Sequence, residues 1–167
     1  MTEGFMTLDK MNTIEFDSTH LWSISFPDAP SPFNDWFPAQ SCDDDVYNVV
    51  TDTFDVGNTD MVLPTGLSSK SIHMEVLDAV DCRLEKWIEN WVNNEMFVTE
   101  GKSVGANYLD NICKKCNITK YDYQHNVIYK KQHTVHPIGT MKHSRTSDAN
   151  AKVLSLDFKI QSSRDLS

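Results

Sequence analysis

The feature that most constrains this fold is one change of hydrophobic period within residues 71–92. Residues 71–77 alternate polar and apolar side chains, which predicts a half-buried strand with Ile72, Met74 and Val76 on its inner face. From residue 78 onward the apolar spacing becomes that of an amphipathic α-helix. The apolar stripe of this helix is Val80, Leu84, Trp87, Ile88, Trp91 and Val92. The block therefore predicts a strand that turns tightly into a helix.

Carboxylates mark the predicted start of this helix. Asp78 is expected to be the N-cap, and Asp81 places a second negative charge in the first turn, where free backbone N–H groups favour it. The core residues of the helix are expected to be Leu84, Trp87, Ile88 and Trp91. Burial of the two tryptophans and the isoleucine contributes on the order of 5 kcal/mol before entropy is subtracted. This stripe predicts that the helix covers a sheet.

Length and composition indicate one globular domain over residues 20–167, preceded by an N-terminal arm at residues 1–19. The chain has 167 residues, of which 40% are hydrophobic and 23% charged, a composition typical of soluble proteins. No apolar run reaches the ~18 residues of a spanning helix, and the first residues lack a signal-peptide pattern. We therefore expect no membrane partner, a cytosolic origin, and reduced thiols at the four cysteines.

Charge is distributed unevenly along the chain. The net charge is −9, yet residues 11–69 contain ten Asp and Glu and no Lys or Arg. A field of one sign disfavours phosphate binding, which needs basic side chains. A solvated acidic surface or a partly disordered arm would give the same composition.

The remaining patterns predict a mainly β (α+β) fold with six or seven antiparallel strands and one packed helix, in a sandwich or barrel. Residues 47–56 and 61–63 flank Gly57-Asn58 and predict a hairpin. A short helix is expected at residues 107–114. The other expected strands are residues 21–26, 36–42, 118–123, 127–135 and 153–160.

This order of elements resembles the tail tube proteins of contractile-tailed bacteriophages. The resemblance covers roughly residues 20–160 and rests on the hairpin that ends near Leu63-Pro64 and on the helix segment Glu-Lys-Trp-Ile-Glu-Asn-Trp. It also rests on His136-Pro137-Ile138-Gly139, a polar stretch, and a closing strand at residues 154–158. The arm and the proline-rich residues 27–38 have no counterpart in that pattern. A tube-initiator ring at the baseplate or a terminator ring at the neck therefore stays open as an alternative.

The resemblance implies a structural role without enzymatic activity or cofactor. It implies homo-hexameric rings that stack into a tube within the virion tail, contact sheath and baseplate proteins, and are assembled in the host cytoplasm. Hairpins of neighbouring subunits would then form a barrel around a channel through which DNA passes during ejection, without specific binding. Asp52, Asp55 and Asp60 are expected to line that channel and to repel phosphates.

Chemical motifs offer a second hypothesis from a different class. Cys113 and Cys116 have the spacing of a zinc knuckle, and four histidines follow them, so a small zinc- or thiol-dependent domain is an alternative. The glycine and proline neighbours usual in a knuckle are absent, and buried or loop thiols explain the pair more simply. Asp43, Asp44 and Asp45 offer oxygen ligands but are typical of a solvated loop. No nucleophile motif, P-loop or dinucleotide fingerprint is present, so we expect neither an enzyme nor a metal site.

Overall fold

The computed structural model describes residues 21–97, 112–143 and 152–166. Eight strands and one helix lie within these ranges. The strands are β1 (Trp22–Ser25), β2 (Ala39–Asp44), β3 (Val49–Val56), β4 (Thr59–Leu67), β5 (Ser71–Leu77), β6 (Lys114–Tyr121), β7 (Val127–His143) and β8 (Val153–Asp165). The α-helix, α1 (Arg83–Asn90), continues directly into a π-helical segment, Trp91–Met96.

Six strands form one antiparallel sheet in the order β1-β6-β7-β8-β5-β2. Alternation decides which face of this sheet is buried. In the β5–β8 pair, Ile72 lies opposite Phe158 and Met74 lies opposite Leu156, and all four side chains are buried. Their outward neighbours, such as His73 and Asp157, remain half-exposed. The predicted inner face of the strand at residues 71–77 is therefore observed.

The sheet curls until its two ends nearly meet. The backbone N–H of Phe37, in the segment that leads into β2, donates to the carbonyl of Ile24 in β1 at 2.9 Å. The N–H of Leu77 donates to the Pro38 carbonyl at 2.9 Å and fixes the same segment against β5. The result is a nearly closed, barrel-like antiparallel sheet with one packed helix. The predicted mainly β class is confirmed.

The helix covers one side of the barrel with aromatic side chains. Leu84, Ile88 and Trp91 are buried, and Trp87 packs against the core while keeping some exposure. The ring of Trp91 stacks on Phe158 with centroids 5.9 Å apart, and its indole Nε1–H donates to the Ile112 carbonyl at 2.8 Å. Because the indole N–H has a hydrogen-bond acceptor, burial of the Trp91 ring leaves no unsatisfied polar group in the core.

The helix begins later than the sequence predicts. Residues 79–82 form a turn with Cys82 at φ 55°, and the first helical residue is Arg83. Asp78 is therefore not the N-cap, although its Oδ1 accepts the N–H of Leu84 at 3.1 Å across the turn. Val80 is fully exposed, so its place in the apolar stripe was coincidental. The placement of Asp81 in the first turn was also wrong, since Asp81 precedes the helix and pairs with Arg83.

Several strand limits also differ from the sequence prediction. The expected strand at residues 36–42 is displaced to Ala39–Asp44, and Trp36 is 60% exposed in the segment that leads into it. β7 continues to His143 and β8 to Asp165, because the two strands pair with each other as far as these residues. Lys114 begins β6, so the expected helix at residues 107–114 ends too late.

Some predictions cannot be placed in the described structure. Residues 107–111 of the expected helix and the whole N-terminal arm at residues 1–19 lie outside the described residues. The division into an arm and one domain stays a prediction. Within the described ranges, no helix combines the length and the apolar character needed to cross a membrane.

Candidate assembly surface

The hairpin formed by β3 and β4 is a separate two-stranded sheet that projects from the barrel. Each residue of both strands is exposed, and neither strand pairs with the six-stranded sheet. Val56 pairs with Thr59 around a two-residue loop, in which Gly57 has φ 70°. Gly57 suits this position because tight hairpin loops require positive φ, which side-chain-bearing residues rarely adopt. The predicted hairpin around Gly57-Asn58 is observed.

Hydrogen bonds at its base attach the hairpin to the barrel. Asp45 Oδ2 accepts both the backbone N–H of Ser71 at 2.9 Å and its hydroxyl at 2.8 Å. The Asp45 N–H returns a bond to the Ser71 carbonyl at 3.0 Å. These donors, the backbone N–H first, lower the pKa of Asp45. Lys159 of β8 adds a bond from its ammonium to the Ser69 carbonyl at 2.9 Å.

One face of the hairpin is mostly apolar. Strand alternation and the observed register place side chains from β3 and β4 together on this face. Its apolar members are Val50, Phe54, Val56, Met61 and Leu63, each between 42% and 57% exposed. Exposed apolar side chains grouped on one face make it a candidate contact surface. We call it the apolar hairpin face.

The opposite face carries Asp55 and Asp60. The register sets these two residues directly across from each other, with Thr51, Thr53 and Val62 as neighbours on the same side. Like charges directly opposite destabilise an isolated pair of strands. The arrangement therefore lowers the stability of the isolated hairpin. We call it the acidic hairpin face.

Asp52 does not belong to the acidic hairpin face. It is paired with Leu63 and points to the same side as Phe54 and Met61. Asp52, Asp55 and Asp60 were expected to line one channel; the register separates Asp52 from the other two, and the channel position of Asp55 and Asp60 stays a prediction. The sequence contained the signal, because residues 52 and 55 are separated by an odd number and must point to opposite faces of a regular strand.

Both outer edges of the hairpin are free of strand partners within the described residues. An isolated two-stranded hairpin is marginally stable, and open edges pair readily with other chains. Val49, Val62 and Leu67 add exposed apolar side chains on the acidic hairpin face. The hairpin therefore combines free strand edges with apolar side chains that the described residues leave uncovered.

The cysteine pair does not form a ligand set in the described structure. Cys116 is buried on β6, and burial raises its pKa well above the usual value, which keeps it a protonated thiol. Cys113 Sγ lies 4.0 Å from His136 Nδ1. Among the described residues, neither Cys113 nor Cys116 belongs to a group of three metal-ligand atoms within 4.8 Å of one another. Asp78, Cys82 and Glu85 do form such a group, which sequence spacing did not indicate.

Sequence reasoning also missed the function of Asp45. The run of three aspartates predicted a solvated loop, yet Asp45 fastens the base of the hairpin through Ser71. Asp43 and Asp44 lie in the edge strand β2 and are exposed. Asp45 differs from Asp43 and Asp44 only because the fold brings it to Ser71, which is 26 positions away in the sequence. Sequence spacing does not reveal this contact.

Comparisons of sequence find no relatives for this chain. No protein-family model matches it, and no curated protein matches it significantly. Solved structures are nevertheless similar to this chain, at low sequence identity.

The fold is similar to that of proteins from contractile injection systems. A chain of the anti-feeding prophage tube-terminating cap aligns with TM-score 0.61 and 11% identity over 92% of this chain and 93% of that one. A chain of the sheath–tube complex of the extracellular contractile injection system PVC aligns with TM-score 0.59 and 11% identity over 96% and 98%. Hcp1 from Flavobacterium johnsoniae aligns with TM-score 0.52 and 12% identity over 87% and 94%.

These likenesses cover almost the whole of each chain. The neighbours are tail tube, tube terminator and Hcp-like proteins, so the predicted resemblance to tail tube proteins is confirmed at the level of the fold. At such low identity the fold is what the neighbours share with this chain.

Proposed function

We propose that this chain is a structural, non-enzymatic subunit of a contractile tail tube, in which six copies form a ring and rings stack around a channel. The observation that carries the proposal is the hairpin of β3 and β4, which is fully exposed and has two free edges. Closing a ring of such hairpins pairs their edges and removes an aggregation hazard. The tube-type structural neighbours support the same role.

The two faces of the hairpin suit opposite sides of such a ring. The apolar hairpin face gains free energy by packing against neighbouring copies, at roughly 25 cal/mol per Å² of buried apolar surface. The acidic hairpin face points into the channel, where Asp55 and Asp60 of each subunit repel phosphates. DNA then passes without specific binding, because affinity for the backbone depends on basic side chains.

The other partners follow from the same role. The outer surface of the ring would contact sheath proteins, and the end of the tube would contact the baseplate. The chain would be assembled in the host cytoplasm and function in the virion tail. A neighbour from a sheath–tube complex and another from a baseplate support these partners.

A paired substitution tests the apolar hairpin face. We expect Phe54→Ser with Met61→Ser to abolish rings and tubes in electron micrographs and in sedimentation, because it removes two exposed apolar side chains from one face. The matched control, Thr51→Ser with Thr53→Ser on the opposite face, should assemble like the wild type. Assembly of both variants into normal tubes, or wild-type rings without six-fold symmetry, would contradict the proposal.

Charge reversal tests the acidic hairpin face. Asp55→Lys with Asp60→Lys should still form tubes but slow genome ejection from reconstituted particles, since the channel would attract phosphates. Asp28→Lys with Asp35→Lys makes the same change of net charge at exposed positions of the barrel and should eject normally. Normal ejection from well-assembled Asp55/Asp60 variants, or a map with these side chains on the outside, would refute the channel assignment.

A tube-initiator or tube-terminator ring is the second candidate. It is favoured by the likeness to a tube-terminating cap and to a sheath/tube terminator of the PVC system, both with TM-score 0.61. A terminator stops growth, so purified protein would form single or paired rings at concentrations where a tube protein forms long polymers. The length distribution of the assemblies in micrographs therefore separates the two roles.

A further inference from the structure

A cluster of potential metal ligands lies where the β5 strand turns into the helix. Asp78 follows β5, Cys82 precedes the helix, and Glu85 lies in its first turn. One carboxylate oxygen of each acid and the Cys82 Sγ all lie within 4.8 Å of one another. The three side chains therefore converge on a volume that one ion could occupy.

One ligand atom in this cluster has no hydrogen-bond donor. The Asp78 side chain is fully buried, and its Oδ1 accepts the backbone N–H groups of Ala79 and Leu84. Its Oδ2 is buried without a hydrogen-bond partner and lies 3.8 Å from the Lys152 Nζ, the atom that also contacts Glu85 and Cys82. A buried carboxylate oxygen without a donor is costly, and a cation at the centre of the cluster would relieve that cost.

The ammonium of Lys152 lies beside this position. Its Nζ contacts Glu85 Oε2, is 3.8 Å from Asp78 Oδ2 and is 3.7 Å from Cys82 Sγ. The ammonium thus provides one positive charge for two carboxylates and interacts with Asp78 only at ion-pair distance. The Lys152 side chain is flexible and 23% exposed, which allows the charge to move into solvent.

We propose that Asp78, Cys82 and Glu85 bind a thiophilic divalent cation of the zinc class and that Lys152 takes the place of the cation in its absence. Binding releases the Cys82 thiol proton to solvent and moves the lysine ammonium outward, so that one thiolate and two carboxylates face the metal. One sulfur with oxygen ligands suits zinc, and water completes four-coordination. The bound ion would fasten the end of β5 to the start of the helix, because its ligands lie on both sides of the turn between them.

Cobalt(II) is the probe for this site, because a thiolate ligand produces a charge-transfer absorption band in the near ultraviolet. We expect the full-length protein at neutral pH to develop this band on titration and to lose it when Zn²⁺ is added. Lys152→Met should bind cobalt about tenfold more tightly, because the competing ammonium is absent. Cys82→Ser should lose the band, whereas Cys113→Ser, which removes a different half-buried thiol, should keep it.

Circular dichroism and thermal melting accompany the titration. Zn²⁺ should raise the melting temperature of the wild type and of Cys113→Ser, and should leave that of Cys82→Ser unchanged. If Cys82→Ser does not fold, Glu85→Gln replaces it and should weaken cobalt binding without removing the band. Absence of the band in both the wild type and a folded Lys152→Met variant, or its loss in Cys113→Ser alone, would overturn the proposal.

Discussion

The β8 strand and the β3–β4 hairpin show two different outcomes for apolar residues in strands. In β8, Leu154, Leu156, Phe158 and Ile160 alternate with polar residues and are all buried within the barrel. In the hairpin, Val50, Phe54 and Met61 occupy strand positions of the same kind and remain exposed. Alternation therefore identifies a strand and its apolar side, but the surface that buries that side can belong to the same chain or to another.

The difference has an energetic consequence. Apolar side chains in the barrel contribute to the free energy of folding of the monomer. Apolar side chains of the hairpin contribute to the free energy of association, because they are buried only when a second surface covers them. Substitutions in the barrel should therefore change the free energy of unfolding, and substitutions in the hairpin should change association.

The largest effect is expected from the centre of the core. Trp91→Ala removes a fully buried ring and leaves the Ile112 carbonyl without its donor, and should lower the free energy of unfolding by about 3–5 kcal/mol. Trp87→Ala should cost less, since that ring keeps some exposure. Trp36→Ala is the matched control and should change stability by less than about 0.5 kcal/mol. Denaturant titration measures all three, and equal losses for Trp91 and Trp36 would remove the distinction between core and surface.

A second effect within the barrel depends on pH. His133 is buried, its Nδ1 lies 2.7 Å from Ser163 Oγ, and burial lowers its pKa. The unfolded chain then binds the proton more readily, so stability is highest above the ordinary histidine pKa of about 6.5 and falls as the pH decreases below it. His133→Gln should flatten the stability profile in that range. An unchanged slope in this variant would show that another group titrates.

A smaller effect is expected at the base of the hairpin. The pKa of Asp45 is lowered by its hydrogen bonds from Ser71, so this attachment is present above the ordinary aspartate pKa and is lost as the pH falls through the lowered value. Asp45→Asn should increase hydrogen exchange in residues 49–67 at neutral pH while β8 keeps its protection. Asp43→Asn, in the neighbouring edge strand, is the control and should leave hairpin exchange unchanged. Equal exchange in both variants would contradict a specific role for Asp45.

The smallest effect on the monomer is expected at the acidic hairpin face. Asp55→Asn with Asp60→Asn removes repulsion between directly opposite carboxylates and should stabilise the hairpin by a few tenths of a kcal/mol. Slower hydrogen exchange around Gly57, with an unchanged melting temperature of the barrel, is the expected measurement. Asp52→Asn lies on the other face and removes no such pair, so an equal effect there would argue against pairwise repulsion.

Much of the barrel could be predicted because its patterns are local. The inner face of β5, the burial of Leu84, Ile88 and Trp91, and the hairpin around Gly57 follow from period and turn chemistry in short segments. The helix start could not be predicted in this way. Val80 fits the helical period, but the turn at residues 79–82 is closed by the bond from Leu84 to Asp78 and supported by Lys152, which comes from a distant part of the chain.

The sequence by itself determined the strands, the amphipathic helix and the uneven charge, because these depend on neighbours within a few positions. Only the tertiary structure decided that Asp45 holds Ser71, that Lys152 enters the cluster of Asp78, Cys82 and Glu85, and that the apolar hairpin face is left uncovered. Each of these outcomes depends on segments far apart in the chain. Sheet pairing and loop closure fix the distances between such segments, and local periodicity contains no information about them.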